Sequence, residues 1–272
     1  MNEQRTPVSE YLRARRNVLQ PEDVGLPRAP GRRVVGLRRE EVAALARISP
    51  EYYVRLERGH DHQPSAQVLL ALAQALRLDD AATTYLLRLN SGWSPSAVEW
   101  PTASQKIPES ITALLRTLTD VPAVVVDGNQ DVLAANPLAQ AIPPGTFTPG
   151  NNLLLITFSV GARERLGESW QKLSERLVAS FRLRSNPNDP RFRALLAELL
   201  IQDATFPSIW ARHEVRDISL DTSRHRIEPF GPVTLSWQHL RVPETDTYLV
   251  LFADPPGSPA AAAIRYLAES SR

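Results

Sequence analysis

The chain of 272 residues has no cysteine, 31 basic against 30 acidic residues and 43% hydrophobic residues, which excludes a disulfide framework or thiolate metal site and suits two compact domains. No run of about 18 apolar residues is present to span a bilayer, and Met1 to Arg5 lacks the apolar core of a secretion signal, so a soluble cytoplasmic protein without membrane contact is expected. Charge is uneven: residues 1–90 hold 14 arginines and no lysine against 11 acids, and Arg28, Arg32, Arg33, Arg38 and Arg39 form a local cluster that suits a polyanion, or, in a plain loop, serves only solubility.

In chain order, Thr6-Pro7 predicts a helix to about Leu19, a hydroxyl cap followed by a proline that needs no donor in the first turn. Pro21, Gly25, Pro27, Pro30 and Gly31 then break the period, and this insert, which carries the arginine cluster, is expected along a DNA backbone. From Gly36 to Gly59 the chain reads as two short helices about one tight turn: Val42, Leu45 and Ala46 make one apolar stripe, Tyr53, Leu56 and Tyr52 another. Ile48 plugs the angle, Ser49-Pro50 caps the second helix and Gly59 ends it, as a helix-turn-helix requires. Pro64-Ser65 starts a fourth helix with Val68, Leu69, Leu72, Ala73 and Leu76 facing a core. Asp79 caps a fifth with Tyr85, Leu86 and Leu89 inward, which completes an all-α five-helix domain over residues 1–90.

In a helix-turn-helix the second helix enters the major groove with its N-terminal residues on the base edges. Here those are Ser49, Pro50, Glu51 and Tyr52, with Arg55 one turn on; Glu51 suits a cytosine amino group and Arg55 a bidentate contact to guanine. Arg38, Arg39 and Arg58 are placed for phosphates, which position without reading sequence. The plainer alternative is a solvated helical hairpin.

Residues 91–107 carry Gly, Pro and Ser without period and are expected to join the domains, with Trp93 and Trp100 packed on a domain surface. The second domain, 108–272, opens with a helix over Pro108 to Leu118 and a β-hairpin, residues 122–127 and 131–136 about Gly128-Asn129-Gln130. Helices are expected over Ala162 to Leu183, Pro190 to Gln202, Ser208 to Glu214 and Pro259 to Glu269, and strands over Val233 to His239, Tyr248 to Ala253 and Arg224 to Pro229. The order suits an α+β domain with an antiparallel sheet covered on one face.

The residues of the helix pair, with Pro64-Ser65, Leu69 to Leu78, the first-helix segment Tyr11 to Arg16 and the insert Pro21 to Leu26, resemble the Xre superfamily of helix-turn-helix proteins and, more closely, its MmyB-like branch of transcriptional regulators. Weaker similarity continues through Pro122-Ala123, Asp131 to Asn136 and Trp210 to Val215, so the resemblance spans nearly the whole chain. It implies a five-helix DNA-binding domain joined to a PAS-like domain that holds a small apolar ligand, with fatty-acid-like molecules as the leading class. By position it puts Arg39 near phosphate and Pro50, Glu51 and Arg55 at the recognition positions. Proline has no donor to offer a base, so an operator known for relatives does not transfer.

No glycine-rich phosphate loop, nucleophile elbow or paired-histidine zinc motif appears, and no pair of carboxylates argues for acid–base work, so neither an enzyme nor a required cofactor is expected. His60 and His62 have the spacing of a metal pair but read better as surface or phosphate-contacting residues, with no metal. The second domain concentrates aromatics able to line an apolar cavity; the plainer reading is that they fill its core. For a ligand with an acidic head, Asn136, Arg212 and His213 are candidates to fix the head, with Phe158, Trp170, Phe206 and Trp210 along the tail; His213 reads equally as a satisfied core histidine. The expectation is a homodimeric regulator of double-stranded DNA governed by a small apolar effector, such as a fatty acid. The alternative makes the C-terminal domain a protein-interaction module without a metabolite, and a third reading makes it an enzyme.

Overall fold

The computed structural model of the protein describes residues 6–28, 31–60, 63–90, 107–142 and 145–270. They divide into two compact units, one holding the N-terminal helices together with Ser208–Arg216, the other holding residues 107–207 and 217–270. The expected connection with Trp93 and Trp100 lies, apart from Ile107, outside the described residues.

In the first unit the caps written in the sequence start the helices. Helix α1 (Pro7–Val18) begins where the Thr6 hydroxyl accepts from Ser9 N, and a 3-10 turn at Pro21–Val24 follows it. Helices α2 (Arg39–Ala46) and α3 (Pro50–Glu57) form the pair, and Ser49 Oγ accepts from Tyr52 N at 3.1 Å. Ser65 and Asp79 do the same for α4 (Ala66–Ala75) and α5 (Asp80–Asn90). The stripes converge on one core in which Tyr11, Leu12, Leu37, Val42, Tyr53 and Leu86 are fully buried. Tyr52 is only half-buried, outside the stripe assigned to it from the sequence.

The turn between α2 and α3 places Arg47, not a glycine, in the left-handed region at φ 55°, and Ile48 N returns to Ala43 O at 3.0 Å. That conformation costs an L-residue about 1–2 kcal/mol, so the two packed helices must hold it. At the far end Gly59, φ 72°, lets His60 N reach back to Arg55 O at 3.0 Å, the glycine-ended helix stop expected there.

The second unit opens with α6 (Glu109–Thr117) and the hairpin β1 (Ala123–Asp127) and β2 (Val132–Ala135). Short helices α7 (Pro137–Gln140), α8 (Leu153–Thr157) and α9 (Ala162–Leu166) precede α10 (Ser169–Arg184), α11 (Pro190–Gln202) and α12 (Phe206–Trp210). Strands β3 (Leu220–Ile227), β4 (Gly231–Arg241) and β5 (Thr247–Phe252) and helix α13 (Pro259–Ser270) complete it. The sheet is antiparallel throughout, in the order β2-β1-β5-β4-β3.

Three expectations change. The helix expected over 162–183 breaks into α9 and α10 at Gly167, whose φ of 54° interrupts the helical backbone. The one expected over 208–214 ends at Trp210, and His213 stands at a positive φ of 50°. The sheet is not covered on one face alone: Ala123, Val125 and Leu249 pack under Leu115 of α6, while Val124, Val126, Val250 and Phe252 face the main core, so β1 and β5 are buried on both sides. In the hairpin the positive φ falls on Gln130, and Gly128 is needed for room, since a Cβ there would lie 2.8 Å from Arg184 O and 2.9 Å from Asp246 Oδ2.

Candidate nucleic-acid interface and ligand cavity

Helix α3 presents two faces of opposite chemistry. Tyr53, Leu56 and Glu57 turn inward, while Pro50, Glu51 and Arg55 are exposed, and the Arg55 guanidinium lies 5.4 Å over the half-buried Tyr52 ring. The first turn and the next therefore offer a carboxylate, a phenol and a guanidinium on one outward strip. The Ser49 hydroxyl is engaged in the cap, so the serine acts on the helix first.

Glu57 anchors that helix. Its carboxylate, with no exposed surface, accepts from Arg16 and Tyr53 and from Arg39 Nε at 2.7 Å. Burial alone would raise its pKa; the hydrogen bonds from Arg16 and Arg39 prevail and hold it below the usual carboxylate range. Arg39, a residue assigned to phosphate from the sequence, is thus tied to the end of α3, with its side chain still 43% exposed. Arg38 caps α2 at half burial, 3.7 Å from Glu40, and Arg58 is exposed beyond α3.

Within the arginine-rich insert the roles divide. Arg32 grips Glu41 through two nitrogens, at 2.6 and 2.7 Å, and the same carboxylate accepts from Arg38 N, which fastens the insert to the first turn of α2. Arg28 and Arg33 are exposed. His60 is exposed, and His62 lies outside the described residues.

In the second unit a cavity of about 490 Å³ lies between the inner face of the sheet and α8 to α10. Val124, Val126, Val250 and Phe252 form its sheet wall. Leu153 and Ile156 of α8 and Leu173 and Leu177 of α10 form the wall opposite, and α9 contributes Glu164, Arg165 and Leu166 between Gly161 and Gly167, both at positive φ.

Polar groups enter this apolar chamber along β3 and β4. Alternation on β3 turns Asp221, Ser223, His225 and Ile227 inward. Trp237 Nε1 donates to Ser223 Oγ at 3.1 Å, and that oxygen lies 2.7 Å from His225 Nε2. Burial pushes the His225 pKa down to about 4. His239, whose ring centroid is 4.9 Å from that of Trp237, accepts at Nδ1 from Arg184, and burial followed by the Arg184 charge pushes it down to about 3. Both imidazoles are neutral near pH 7.

Residues 107–267, which contain every cavity residue, match the family model described as the MmyB-like transcription regulator ligand binding domain, and residues 8–86, which contain α2 and α3, match a helix-turn-helix domain. The chain belongs to the MmyB-like transcription regulators. It is a DNA-binding regulator with a ligand-binding C-terminal domain. No curated protein matches it.

In this MmyB-like regulator none of the residues singled out for the ligand is among those that line the cavity. Asn136 caps α7: its oxygen accepts from Ala123 N and Ala139 N, and its amide donates to Leu118 O and Val121 O, which uses its hydrogen-bonding capacity. Phe158, Trp170 and Phe206 are brought together, but edge-to-face with one another as core, with centroids 5.8 and 5.2 Å apart. Trp210, Arg212 and His213 belong to the segment that clusters with the N-terminal helices, and His213 lies edge-on to Tyr11 at 6.4 Å.

Sequence reading missed Ser223, His225 and His239. A signal for the first two was available: polar residues recur with period two through Asp221, Ser223 and His225, but the strand was expected to begin only at Arg224. Among the described residues no cluster of His, Asp and Glu is arranged to hold a metal ion, and no helix is long and apolar enough to cross a membrane.

Proposed function

We propose that the protein is a sequence-specific cytoplasmic transcriptional regulator, active as a homodimer, whose C-terminal domain senses a small apolar effector of the fatty-acid-like class. The observation that carries this reading is the apolar chamber of about 490 Å³ inside the ligand-binding domain. Its volume falls in the range of small-molecule sites, and its few polar groups converge from β3 and β4. We read the unit as a PAS-like fold, because its five-stranded antiparallel sheet holds the chamber against helices on one face. The exposed Glu51 and Arg55, beside the half-buried Tyr52 ring, support base reading by α3. Dimerisation is proposed because a single such module makes few base contacts, and paired modules read half-sites about 34–36 Å apart.

Effector and operator would be coupled: whatever factor the effector imposes on operator affinity, the operator imposes on effector affinity. Native mass spectrometry of the purified full chain tests the reading. A retained lipid-like mass that operator DNA displaces or stabilises supports it; a domain empty after exposure to total lipid extract overturns the effector and favours a protein partner.

A further inference from the structure

The insert ahead of α2 ends in a short loop that is fastened at both ends. Arg32, whose side chain is 3% exposed, engages all three of its nitrogens within the protein. Its Nη1 and Nη2 donate to the Glu41 carboxylate at 2.6 and 2.7 Å, Nη2 also reaches Gly36 O, and Nε donates to Val34 O at 3.1 Å. At the other end Leu37 is fully buried, its N donates to Arg16 O at 3.0 Å and its O accepts from Arg16 Nη1 at 2.9 Å. Gly36 lies so close to the end of α1 that a Cβ there would stand 2.5 Å from Asn17 O and nearer still to Arg16 O, so no larger residue fits.

Between these fixed points Arg33, Val34 and Val35 face solvent, the two valines at 40% and 73% exposure. The neighbouring arginines are partly or wholly balanced: Arg32 by Glu41, Arg39 by Glu57, and Arg38 by Glu40 at 3.7 Å. Arg33 makes no hydrogen bond or ion pair among the described residues, so its charge is uncompensated. In a helix-turn-helix the first helix of the pair, here α2, crosses the DNA backbone while the second enters the groove. The grip of Arg32 on the first turn of α2 makes the loop part of that helix, and whatever brings α2 to the backbone brings Arg33 there as well. A loop already fixed has little conformational freedom left to lose on binding. An unpaired guanidinium beside exposed valines matches a backbone in which charged phosphates alternate with apolar sugar faces.

We propose that the loop of residues 32–36 is a second DNA-backbone clamp, in which Arg33 contacts a phosphate, Val35 packs on the adjoining sugar, and Arg32 is a positioning residue that touches no DNA. This rests on reading α2 and α3 as a DNA-binding pair.

Backbone contacts are independent of sequence, so the probe is a labelled duplex of random sequence, bound by the full chain between about 50 and 200 mM salt and followed by fluorescence anisotropy. Arg33→Ala, an exposed change, should reduce the slope of log affinity against log salt by about 0.9, the share of one phosphate, with the melting temperature unchanged. Arg32→Met combined with Glu41→Gln removes the fastening at constant net charge and should reduce the slope by a similar amount. Adding Arg33→Ala to that pair should then change the slope no further, because the contact is already lost. A slope that Arg33→Ala leaves as in wild type overturns the clamp, and if the same variant also loses the dimer in sedimentation the loop belongs to a second copy of the chain. A full further loss when Arg33→Ala is added to the pair overturns the positioning role of Arg32. If the wild type does not bind the duplex at all, the DNA-binding reading of α2 and α3 fails and the clamp with it. The wild-type and Arg33→Ala slopes decide the clamp even if the paired variant does not fold.

Discussion

Arg39 Nε donates to the buried carboxylate of Glu57 at 2.7 Å, so the residue that opens α2 and the residue that closes α3 belong to one hydrogen-bonded group, completed by Arg16 and Tyr53. The angle of α3 is therefore set by a buried charge cluster as well as by apolar packing. Removing the carboxylate would leave the nearly buried Arg16 without its counter-charge.

Glu57→Ala should accordingly destabilise the N-terminal unit by about 3–5 kcal/mol. Chemical denaturation followed by circular dichroism measures it, and a loss below about 1 kcal/mol would show that the cluster does not hold α3.

Arg55 and Arg39 should separate as reader and anchor. Arg55→Ala should relax base preference at one operator position, at a cost of about 1–3 kcal/mol for the preferred base. Arg39→Ala should weaken all sequences alike, reduce the salt dependence by about one phosphate and also lower stability through Glu57. Binding titrations across a salt series distinguish them, and identical behaviour would refute the division of roles.

Filling the chamber should abolish effector retention without unfolding the domain. Leu173, partly buried on the helix wall, lines the chamber, so Leu173→Trp should remove a bound lipid mass from native spectra at a stability cost of no more than about 1–3 kcal/mol. Full retention of the ligand by this variant would place the effector elsewhere.

Asp246 should make stability depend on pH. Burial, then the charge of Asp127, raises its pKa to about 7 against the opposing pull of Arg241 and Arg184. Over the interval from the ordinary carboxylate range to about 7 the folded chain keeps a proton that the unfolded chain has lost. Its contribution therefore falls as pH rises, by up to ~1.4 kcal/mol per unit, and is level above about 7. Asp246→Asn should be more stable than wild type near pH 8, with the gap closing toward acid; the depressed histidines, which act in the opposite sense, are present in both proteins and cancel. A gap that does not change with pH contradicts the assignment.

What was legible in the sequence is what is local. The Ser49, Ser65 and Asp79 caps and the Gly59 stop act within a turn of their own residues, and each starts or ends a helix where expected. The hairpin of β1 and β2 was equally plain, although Gly128 serves close packing against Arg184 and Gln130 takes the left-handed turn. Long-range partners were not legible. In sequence Arg32 reads as a phosphate contact, but Glu41 holds it; Asn136 reads as a head-group anchor, but it caps α7, a role its Asn-Pro pair also signals. The chamber needs Val124 and Phe252 on one wall and Leu173 on the other, residues that only the folded sheet brings together. The first half of β3, polar at its inward positions, gains strand structure from pairing with β4 and shows little of it in composition.

Coupling of a groove-reading α3 to an acyl-binding chamber is tested by selecting randomised duplex DNA with the full chain at moderate ionic strength, before and after removal of bound lipid. One sequence should be enriched, with an affinity that differs between the two states. No enrichment in either state would contradict it.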